Sequence, residues 1–357
     1  MYKTENMNNP VISIIIPFYN GGPYIENTVA SILKSTLTDM EVIIIDDGSP
    51  GESGKICDDL ADKYEKVSTV HKENGGIADA RNRGVQEAKG KYIAFVDQDD
   101  TMAPDMYRAL VDYAEQYGSE VTISNFFYKD DATGEEEIAD FIDQNRLLHG
   151  DEIKELRKWL VMGEVLPVPE IRVPSCIWNC IISTDFVRAH RICFESFIRY
   201  DDDYVFLLRC LAGSKTVYLC RDAYYKWRVH AASESHTVKY LDHLADRFEN
   251  QRGFKLEYLK SCCDVTAEEL DSFTAYFDTN MIYVTVCNEA ASDHELSVSR
   301  ERIRNTINSC VLPDKRKILQ YSALKALIRT KGKKAGLIYK LTMSKLYSLA
   351  MAVCRMR

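Results

Sequence analysis

The sequence predicts an α/β fold with a mostly parallel sheet, followed by a helical C-terminal region. Three patterns support this. Four apolar, mostly β-branched runs do not alternate with polar residues, loops and helical segments separate them, and strand signals end near residue 236. Such runs are typical of parallel sheets covered on both faces. We expect a first region at residues 1–236, with halves of about 10–125 and 126–236, and a helical region at 237–357.

The first half repeats a unit of strand, loop and helix. The predicted strands are residues 11–16, 41–45, 67–71 and 91–96. Helices follow the first three strands and end near Lys34, Tyr64 and Lys89. A further helix, which begins at Pro104 and ends near Tyr117, precedes a strand near residues 121–128.

The second half gives more mixed signals. Residues 130–144 are acidic and rich in turn formers, so we expect a surface excursion there. Strands are predicted at residues 176–182, 216–220 and 223–230, with a helix at about 203–211. After about residue 236 the pattern is helical, with no strand.

Composition indicates a globular cytoplasmic protein. The chain has 357 residues, of which 46% are hydrophobic, so a sizeable core is expected. Its eleven cysteines show no pairing pattern, which favours free thiols in a reducing compartment. The first ten residues lack an apolar core, so no signal peptide is expected. The net charge is −9, and no nucleic-acid partner is expected.

Basic residues concentrate at the C-terminal end. Residues 315–357 carry twelve Lys or Arg and no Asp or Glu, which leaves −21 for residues 1–314. The last apolar stretch is interrupted by Lys340 and Lys345, so it is a poor membrane span. The tail is suited to peripheral contact with an anionic membrane surface, or to docking on the acidic body of the protein.

Polar residues follow all four predicted parallel strands. Ligands of such sheets bind at the carboxyl ends of the strands. The residues at these ends therefore form one candidate site: Pro17 and Tyr19, Asp46 and Asp47, Asn74 and Gly75, and Asp97 and Asp99.

Asp97, Gln98 and Asp99 form a DxD motif directly after a buried strand. Mn²⁺ and Mg²⁺ commonly bridge one or two carboxylates to substrate phosphates, so the motif suits a metal–diphosphate site. With Thr101 the same residues fit the DxDxT motif of haloacid-dehalogenase-type phosphatases. That interpretation expects the motif near the first strand and a later GDxxxD motif, which the sequence lacks. An ordinary acidic surface turn is the third interpretation.

Three further candidates for binding or catalysis carry ionisable side chains. Arg81 lies on the helix after the Asn74–Gly76 loop, where an Arg can bind a phosphate through two hydrogen bonds. The sequence has no GxGxxG motif after its first strand, which disfavours an enzyme that binds a dinucleotide. Three acids, Asp201 to Asp203, begin a helix, and their crowding raises a carboxyl pKa towards the range of a general base. His230 is a candidate phosphate or metal ligand.

Taken together, these residues resemble glycosyltransferase family 2, the inverting nucleotide-sugar transferases with a Rossmann-like glycosyltransferase-A fold. The resemblance covers roughly residues 10–236. The matching stretches, in family order, are VISIIIPFYNGGPYIENTVASIL, EVIIIDDGSPGES, ENGGIADARNRGVQEAKGKYIAFVDQDD, CIWNCIISTDFVRAHRICF, DDDYVFLLRCL and YYKWRVHAASES. Two positions depart from the family: Asp202 stands where Glu is frequent, and Cys180 where Lys is frequent.

The resemblance implies a role for each motif. Asp203, with Asp202 beside it, would be the catalytic base. Asp99 and Asp97 would bind Mn²⁺ or Mg²⁺, and His230, a further metal candidate, would belong to a segment that closes over the diphosphate. The nucleotide-binding set would be Pro17, Tyr19, Asn20, Asp46, Asp47, Asn74, Gly75, Arg81, Asp97 and Gln98.

The implied reaction moves a sugar from a nucleotide donor, expected to be a UDP-sugar, to a glycan or lipid-linked acceptor in cell-surface polysaccharide synthesis. A catalytically silent relative that only binds nucleotide sugars is the alternative within the family.

Overall fold

The structure is a computed structural model that describes residues 9–22, 24–198, 201–229, 240–310 and 317–356. These residues form two compact units. The first unit contains the described residues up to 156 and those from 171 to 229, and the second contains residues 157–170 with the described residues from 240 onward.

The first unit is built on one mixed sheet. Its strands are β1 (Ile12–Phe18), β2 (Met40–Asp46), β3 (Val67–His71), β4 (Tyr92–Phe95), β5 (Thr101–Met102), β6 (Val121–Asp130), β7 (Glu136–Ala139), β8 (Arg146–His149), β9 (Cys180–Ser183) and β10 (Thr216–Val229). The helices are α1 (Tyr24–Leu33), α2 (Lys55–Lys63), α3 (Ile77–Glu87), α4 (Met106–Tyr117), α6 (Thr184–Ala189) and α7 (Asp202–Gly213), and α5 (Gly150–Met162) runs into the second unit.

Parallel pairing dominates the half of the sheet formed by β1 to β4, whose C-terminal ends carry the candidate site. The order of the sheet is β3-β2-β1-β4-β9-β6-β10-β5, and its first four strands are parallel, as predicted. β9 runs antiparallel between β4 and β6, while β6 and β10 are parallel. All seven residues of β1 are buried, because helices cover this central strand.

Helix α3 packs unusually close to the sheet. A Cβ atom added at Gly84 would lie 2.3 Å from Cγ2 of Ile15, a distance that no side chain there can accept without movement. The absence of a side chain at Gly84 therefore lets α3 approach β1 closely, and Arg81 lies one turn earlier on this helix.

Three expectations about the second half need correction. The excursion at residues 130–144 contains a strand, β7, which pairs with β6 to form a hairpin. The two strands predicted at 216–220 and 223–230 are one strand, β10, whose register shifts between Cys220 and Tyr225. The strand predicted at 176–182 is short and begins only at Cys180.

The second unit is helical. Its helices are α8 (Leu244–Cys262), α9 (Ala267–Ala290), α10 (Leu296–Ser309), α11 (Lys317–Met343) and α12 (Tyr347–Arg355). Thr266 and Glu269 form a capping box at the start of α9, and Gly332, at φ 83°, interrupts α11. Two apolar clusters, one around Tyr276 and one around Val286, hold α9 against the later helices. None of the helices in the described ranges is long and apolar enough to span a bilayer.

Candidate active site

Arg81 joins the acids of two distant segments. Its Nη2 atom lies 2.9 Å from Oδ1 of Asp97, after β4, and its Nη1 atom lies 2.5 Å from both Asp202 Oδ2 and Asp203 Oδ1, at the start of α7. The Arg81 side chain is buried, with 3% of its surface exposed. The structure therefore brings three of the predicted acids together around one buried cation, Arg81.

Aromatic packing explains why α7 begins at this point. Phe206, which lies three and four residues after the two acids and so on their face of the helix, stacks on Phe194 with ring centroids 3.8 Å apart. Phe206 also makes an edge contact with Phe95, the last residue of β4. This cluster fixes the start of α7 beside the end of β4.

The cluster raises the pKa of two carboxyl groups. Burial, and then the charges of Asp202 and Asp97, raise the pKa of Asp203 to about 7, although Arg81 and the Ile177 amide act in the opposite direction. Burial and the neighbouring charges of Asp99 and Asp202 likewise raise the pKa of Asp97. A carboxyl group with a pKa near neutrality is suited to accept a proton at physiological pH.

The same charges act on the guanidinium of Arg81. Burial alone lowers its pKa, but the carboxylates of Asp203, Asp97 and Asp202 outweigh burial, so the pKa is raised and Arg81 stays charged. One cation is thus shared by three acids.

Strand β10 holds the DxD loop from the other side. The Tyr225 hydroxyl accepts a hydrogen bond from the Asp97 amide at 3.1 Å and donates one to Asp100 Oδ2 at 2.8 Å. The Arg228 amide donates to Asp100 Oδ1 at 2.7 Å, and its Nη1 donates to the Asp99 carbonyl oxygen at 3.1 Å. Burial and the charges of its neighbours raise the pKa of Asp100 well above its usual range.

Sequence reasoning did not assign these supporting residues. Asp100 stands beside the DxD motif and could have been included as a third acid. Tyr225 and Arg228 lie more than 120 residues away from the loop in sequence, and no local signal connects them to it.

The residues at the end of β4 fit a divalent cation. No group of three or more His, Cys, Asp or Glu side chains arranged to bind a metal occurs in the part of the chain that the structure describes. Asp97 and Asp99 supply two carboxylates, and Mg²⁺ is usually held by one or two carboxylates while water and substrate phosphates complete the shell. Burial first, and then the charges of Asp99 and Asp202, raise the pKa of Asp97, so a charged carboxylate is unfavourable there without a cation beside it. His230 lies outside the described residues.

Hydrogen bonds also link the loops after β1, β2 and β4. The Tyr19 amide donates to Gln98 Oε1 at 3.0 Å, and the Asn20 amide, at φ 48°, donates to Ser49 Oγ at 3.0 Å. Tyr19 is 49% exposed, so its side chain is available for contact with a flat ligand. Pro17 is buried within β1, beside Ile45 of β2.

Asp47 binds the loop that precedes α3. Its Oδ1 accepts hydrogen bonds from Lys72 Nζ at 2.6 Å and from the Gly75 amide at 2.9 Å, and its Oδ2 accepts one from the Gly76 amide at 2.7 Å. The Asn74 side chain donates to the Asp47 carbonyl oxygen at 2.9 Å. The glycine amides therefore face a carboxylate of the protein.

Asp46 makes different contacts. Its Oδ2 lies 2.8 Å from His71 Nδ1 and its Oδ1 accepts the Ser49 amide at 3.1 Å, while His71 Nε2 lies 2.9 Å from Asp58. Asp46 is the last residue of β2 and Asp47 lies just beyond it, and the two carboxylates meet different groups. Asp46 is therefore held by His71 and by the backbone of the loop after β2.

Asp201 also accepts hydrogen bonds from nearby protein groups. Its Oδ1 accepts hydrogen bonds from the Ser196 hydroxyl and from the amides of Phe197 and Ile198, at 2.9 to 3.1 Å. Of the three successive acids, Asp201 therefore orders the preceding loop, and the other two contact Arg81.

The chain is similar in sequence to known glycosyltransferases. The family described as "Glycosyl transferase family 2" matches residues 13–165. "Uncharacterized glycosyltransferase EpsJ" of Bacillus subtilis (strain 168) is 27% identical over 304 residues, 84% of each chain. "Glycosyltransferase GlyG" of Streptococcus pneumoniae serotype 4 is 39% identical over 125 residues, 35% of this chain and 42% of that protein.

The fold is similar to that of a protein of known structure. The crystal structure of S. aureus TarS 1–349 in complex with UDP-GlcNAc superposes with a TM-score of 0.61 at 17% identity, over 93% of this chain and 92% of that one. A DxD motif that follows the fourth strand of such a sheet leaves no support for the phosphatase interpretation. Residues 13–165 thus match glycosyltransferase family 2, and the chain is a glycosyltransferase with the glycosyltransferase-A fold.

Proposed function

We propose that this glycosyltransferase moves a sugar, with inversion, from a UDP-sugar to a hydroxyl group of a glycan or lipid-linked acceptor in polysaccharide synthesis. One observation carries the proposal: Asp203, with a pKa of about 7, shares a buried Arg81 with Asp97 of the DxD motif. A proton acceptor and an acidic motif suited to a diphosphate–metal complex thus belong to one cluster.

Asp203 is the proposed general base. Its carboxylate is 18% exposed, so it is reachable, yet burial keeps its pKa near neutrality. In this role Asp203 removes the proton from the acceptor hydroxyl as that oxygen attacks the anomeric carbon from the face opposite the nucleotide. A single displacement of this kind inverts the anomeric centre.

Arg81 and β10 position the reacting groups. Arg81 orients Asp203 and limits the rise in its pKa, while Tyr225 and Arg228 fix the backbone of the DxD loop. Asp97 and Asp99 are the proposed ligands of Mn²⁺ or Mg²⁺, with His230 as a further candidate. When bound, the cation supplies a positive charge that stabilises the leaving nucleoside diphosphate.

The nucleotide-binding proposal rests on the loops after β1 to β4. Tyr19 offers an exposed ring for the base, and Pro17, Asn20, Asp47, Asn74, Gly75 and Gln98 surround or order that edge. Asp46 stays in the proposed set with Asp47, since protein groups contact the carboxylates of both residues and do not distinguish between them. UDP is favoured as the carrier because a structural neighbour is described in complex with UDP-GlcNAc.

The test is a panel of nucleotide sugars with Mn²⁺ and a mixture of glycan acceptors, scored by release of nucleoside diphosphate. Release of UDP that depends on an acceptor supports the proposal. Binding of UDP without turnover by any acceptor would indicate the catalytically silent relative. Release of phosphate from simple phosphoesters would revive the phosphatase interpretation.

We further propose a cytoplasmic enzyme that rests on the inner face of an anionic membrane through residues 315–357. In α12 and its flanks, Leu346, Leu349 and Met356 are 50% or more exposed, and Lys340 and Lys345 are exposed nearby. Apolar and cationic side chains together favour an anionic lipid surface. Cosedimentation with anionic but not neutral vesicles, weakened by Leu349→Ser, is the expected result; equal recovery with both kinds of vesicle would contradict it.

A further inference from the structure

Two thiols of the second unit face each other across helices. Cys287 lies near the end of α9 and Cys354 near the end of α12, and their Sγ atoms are 3.3 Å apart although 67 residues separate them in sequence. Both side chains are half-buried at the rim of the apolar cluster around Val286. The two sulfur atoms are therefore in contact and remain partly accessible.

The surroundings of the pair favour a reactive thiolate. The pKa of Cys287 is lowered, first by a hydrogen bond from Cys354, then by a hydrogen bond from Tyr283 and by the charge of Lys334. Lys334 Nζ is held at this end of α12, because it donates to the carbonyl oxygens of Cys354 and Met356. The thiolate, not the thiol, is the nucleophile in cysteine chemistry.

Most other cysteines lack these properties. Burial raises the pKa values of Cys57, Cys180, Cys210 and Cys220. Cys193 is exposed, but its sulfur contacts Arg209 and no second thiol contact is recorded for it among the described residues. The combination of a lowered pKa, partial exposure and a thiol partner in contact distinguishes Cys287.

We infer that Cys287 and Cys354 form an oxidation site at which a peroxide converts the two thiols into an intramolecular disulfide. The Cys287 thiolate attacks one oxygen of hydrogen peroxide and becomes a sulfenic acid, and hydroxide leaves and takes up a proton as water. The Cys354 sulfur then attacks the sulfenic sulfur, a second water leaves, and the S–S bond forms. The two thiols lose two electrons and two protons, and one peroxide is reduced to two waters.

The geometry requires little movement. A disulfide has its sulfur atoms about 2.0 Å apart, so closure needs an approach of only about 1 Å, shared between two side chains. The bond would tie α12 to α9 and close a 67-residue separation in the chain. Cross-linking of this kind restricts the unfolded chain, so the oxidised protein is expected to melt several degrees higher than the reduced one.

The test treats the reduced full-length protein with a small excess of hydrogen peroxide and then alkylates the remaining thiols. Cleavage after Lys, Arg and Glu isolates Cys287 on residues 270–289 and Cys354 on residues 346–355, so mass spectrometry can identify their cross-link directly. The expected result is this linked pair, lighter by two hydrogens than the separate peptides and separated again by dithiothreitol. Recovery of both cysteines as alkylated or sulfonic forms without the link would overturn the inference.

Variants give an independent readout. Cys287→Ser and Cys354→Ser should each abolish the rise in melting temperature on oxidation, whereas Cys193→Ser, which alters an exposed thiol outside the pair, should keep it. A rise that persists in both pair variants would assign the effect to other cysteines. The peptide experiment on the unaltered chain does not depend on how well these variants fold.

Discussion

Arg81 Nη1 lies 2.5 Å from Asp203 Oδ1 and equally close to Asp202 Oδ2, so one nitrogen serves two carboxylates. Its Nη2 serves Asp97. Burying several like charges beside one cation is unfavourable, and the raised pKa of Asp203 is the direct result. This arrangement links the acidity of the proposed base to the carboxylates of the DxD loop.

Asp203→Asn should abolish transfer while leaving UDP binding intact. Loss of a general base typically lowers the rate by about 100- to 10,000-fold, and the amide cannot accept the proton. Initial rates of UDP release and calorimetric titration with UDP measure the two effects separately.

Asp202→Asn is the matched control for that variant. It changes the adjacent carboxylate, which has the same 2.5 Å contact with Arg81, so a purely structural effect should appear equally in both variants. We expect Asp202→Asn to keep more activity than Asp203→Asn. Equal rates in the two variants would contradict the assignment of Asp203, rather than Asp202, as the base.

The activity should rise with pH around neutrality. Asp203 must be deprotonated to act, so the acid limb of kcat/KM should have an apparent pKa of about 7 and should vanish in the residual activity of Asp203→Asn. A profile that is flat from pH 5.5 to 8.5 in the unaltered enzyme would argue against this base.

The same pKa predicts a cost in stability. The folded-state pKa of about 7 exceeds the unfolded value of about 3.9, so the contribution of Asp203 is fully favourable only below about pH 4 and is lost as the pH rises through 7. At pH 8 the charged carboxylate therefore lowers the free energy of unfolding, and Asp203→Asn should melt no lower than the unaltered protein. Melting curves at pH 5 and pH 8 test the sign.

Replacing Arg81 should affect both folding and the pH profile. Arg81→Met leaves three carboxylates without their shared cation, and removing one partner of a buried charge group costs about 3–5 kcal/mol, so the melting temperature should fall sharply. Arg81→Lys keeps the charge but not the planar fork. We expect it to restore folding in part and to move the acid limb of kcat/KM to higher pH, because its hold on Asp203 is weaker.

Asp99→Asn should weaken metal-dependent nucleotide binding. Changing an outer-shell partner of a metal ligand typically costs about 10- to 100-fold in affinity, so loss of a direct ligand should lower UDP affinity in Mn²⁺ at least as much, whereas affinity in EDTA should not change. Asp112→Asn, at an exposed carboxylate on α4, is the control and should leave both affinities unaltered. An identical loss with and without Mn²⁺ would show that Asp99 acts on the nucleotide by another route.

Local sequence patterns predicted the parallel half of the sheet well. Strand β3 was predicted at the residues observed, and β1, β2 and β4 within two residues at each end, because uninterrupted β-branched runs between glycine-rich loops have few alternative structures. The sheet-edge rule then placed Asp47 and Asp97 at the ends of their strands. The strands of the second half were predicted less accurately, because the positions of β9 and β10 depend on pairing with strands that are distant in sequence.

The partners of the site residues could not be predicted in the same way. Arg81 was expected to clamp a phosphate, but its contacts with Asp202 and Asp203 span more than 120 residues and depend on how α3 and α7 pack. Asp46 and Asp47 look equivalent in sequence, yet in the structure Asp46 contacts His71 and Asp47 contacts Lys72. Contacts of this kind follow from the three-dimensional packing and leave no trace in spacing.

The missing side chain at Gly84 has a consequence for how the enzyme can be tuned. The backbone of Gly84 packs directly against the Ile15 side chain, which sets the distance between α3 and β1. Because Arg81 lies one turn away on α3, the packing of Ile15 also determines how deeply the Arg81 guanidinium is buried. A methyl group gained or lost at Ile15 could therefore reset the working pH of the enzyme without altering any residue that meets the sugar.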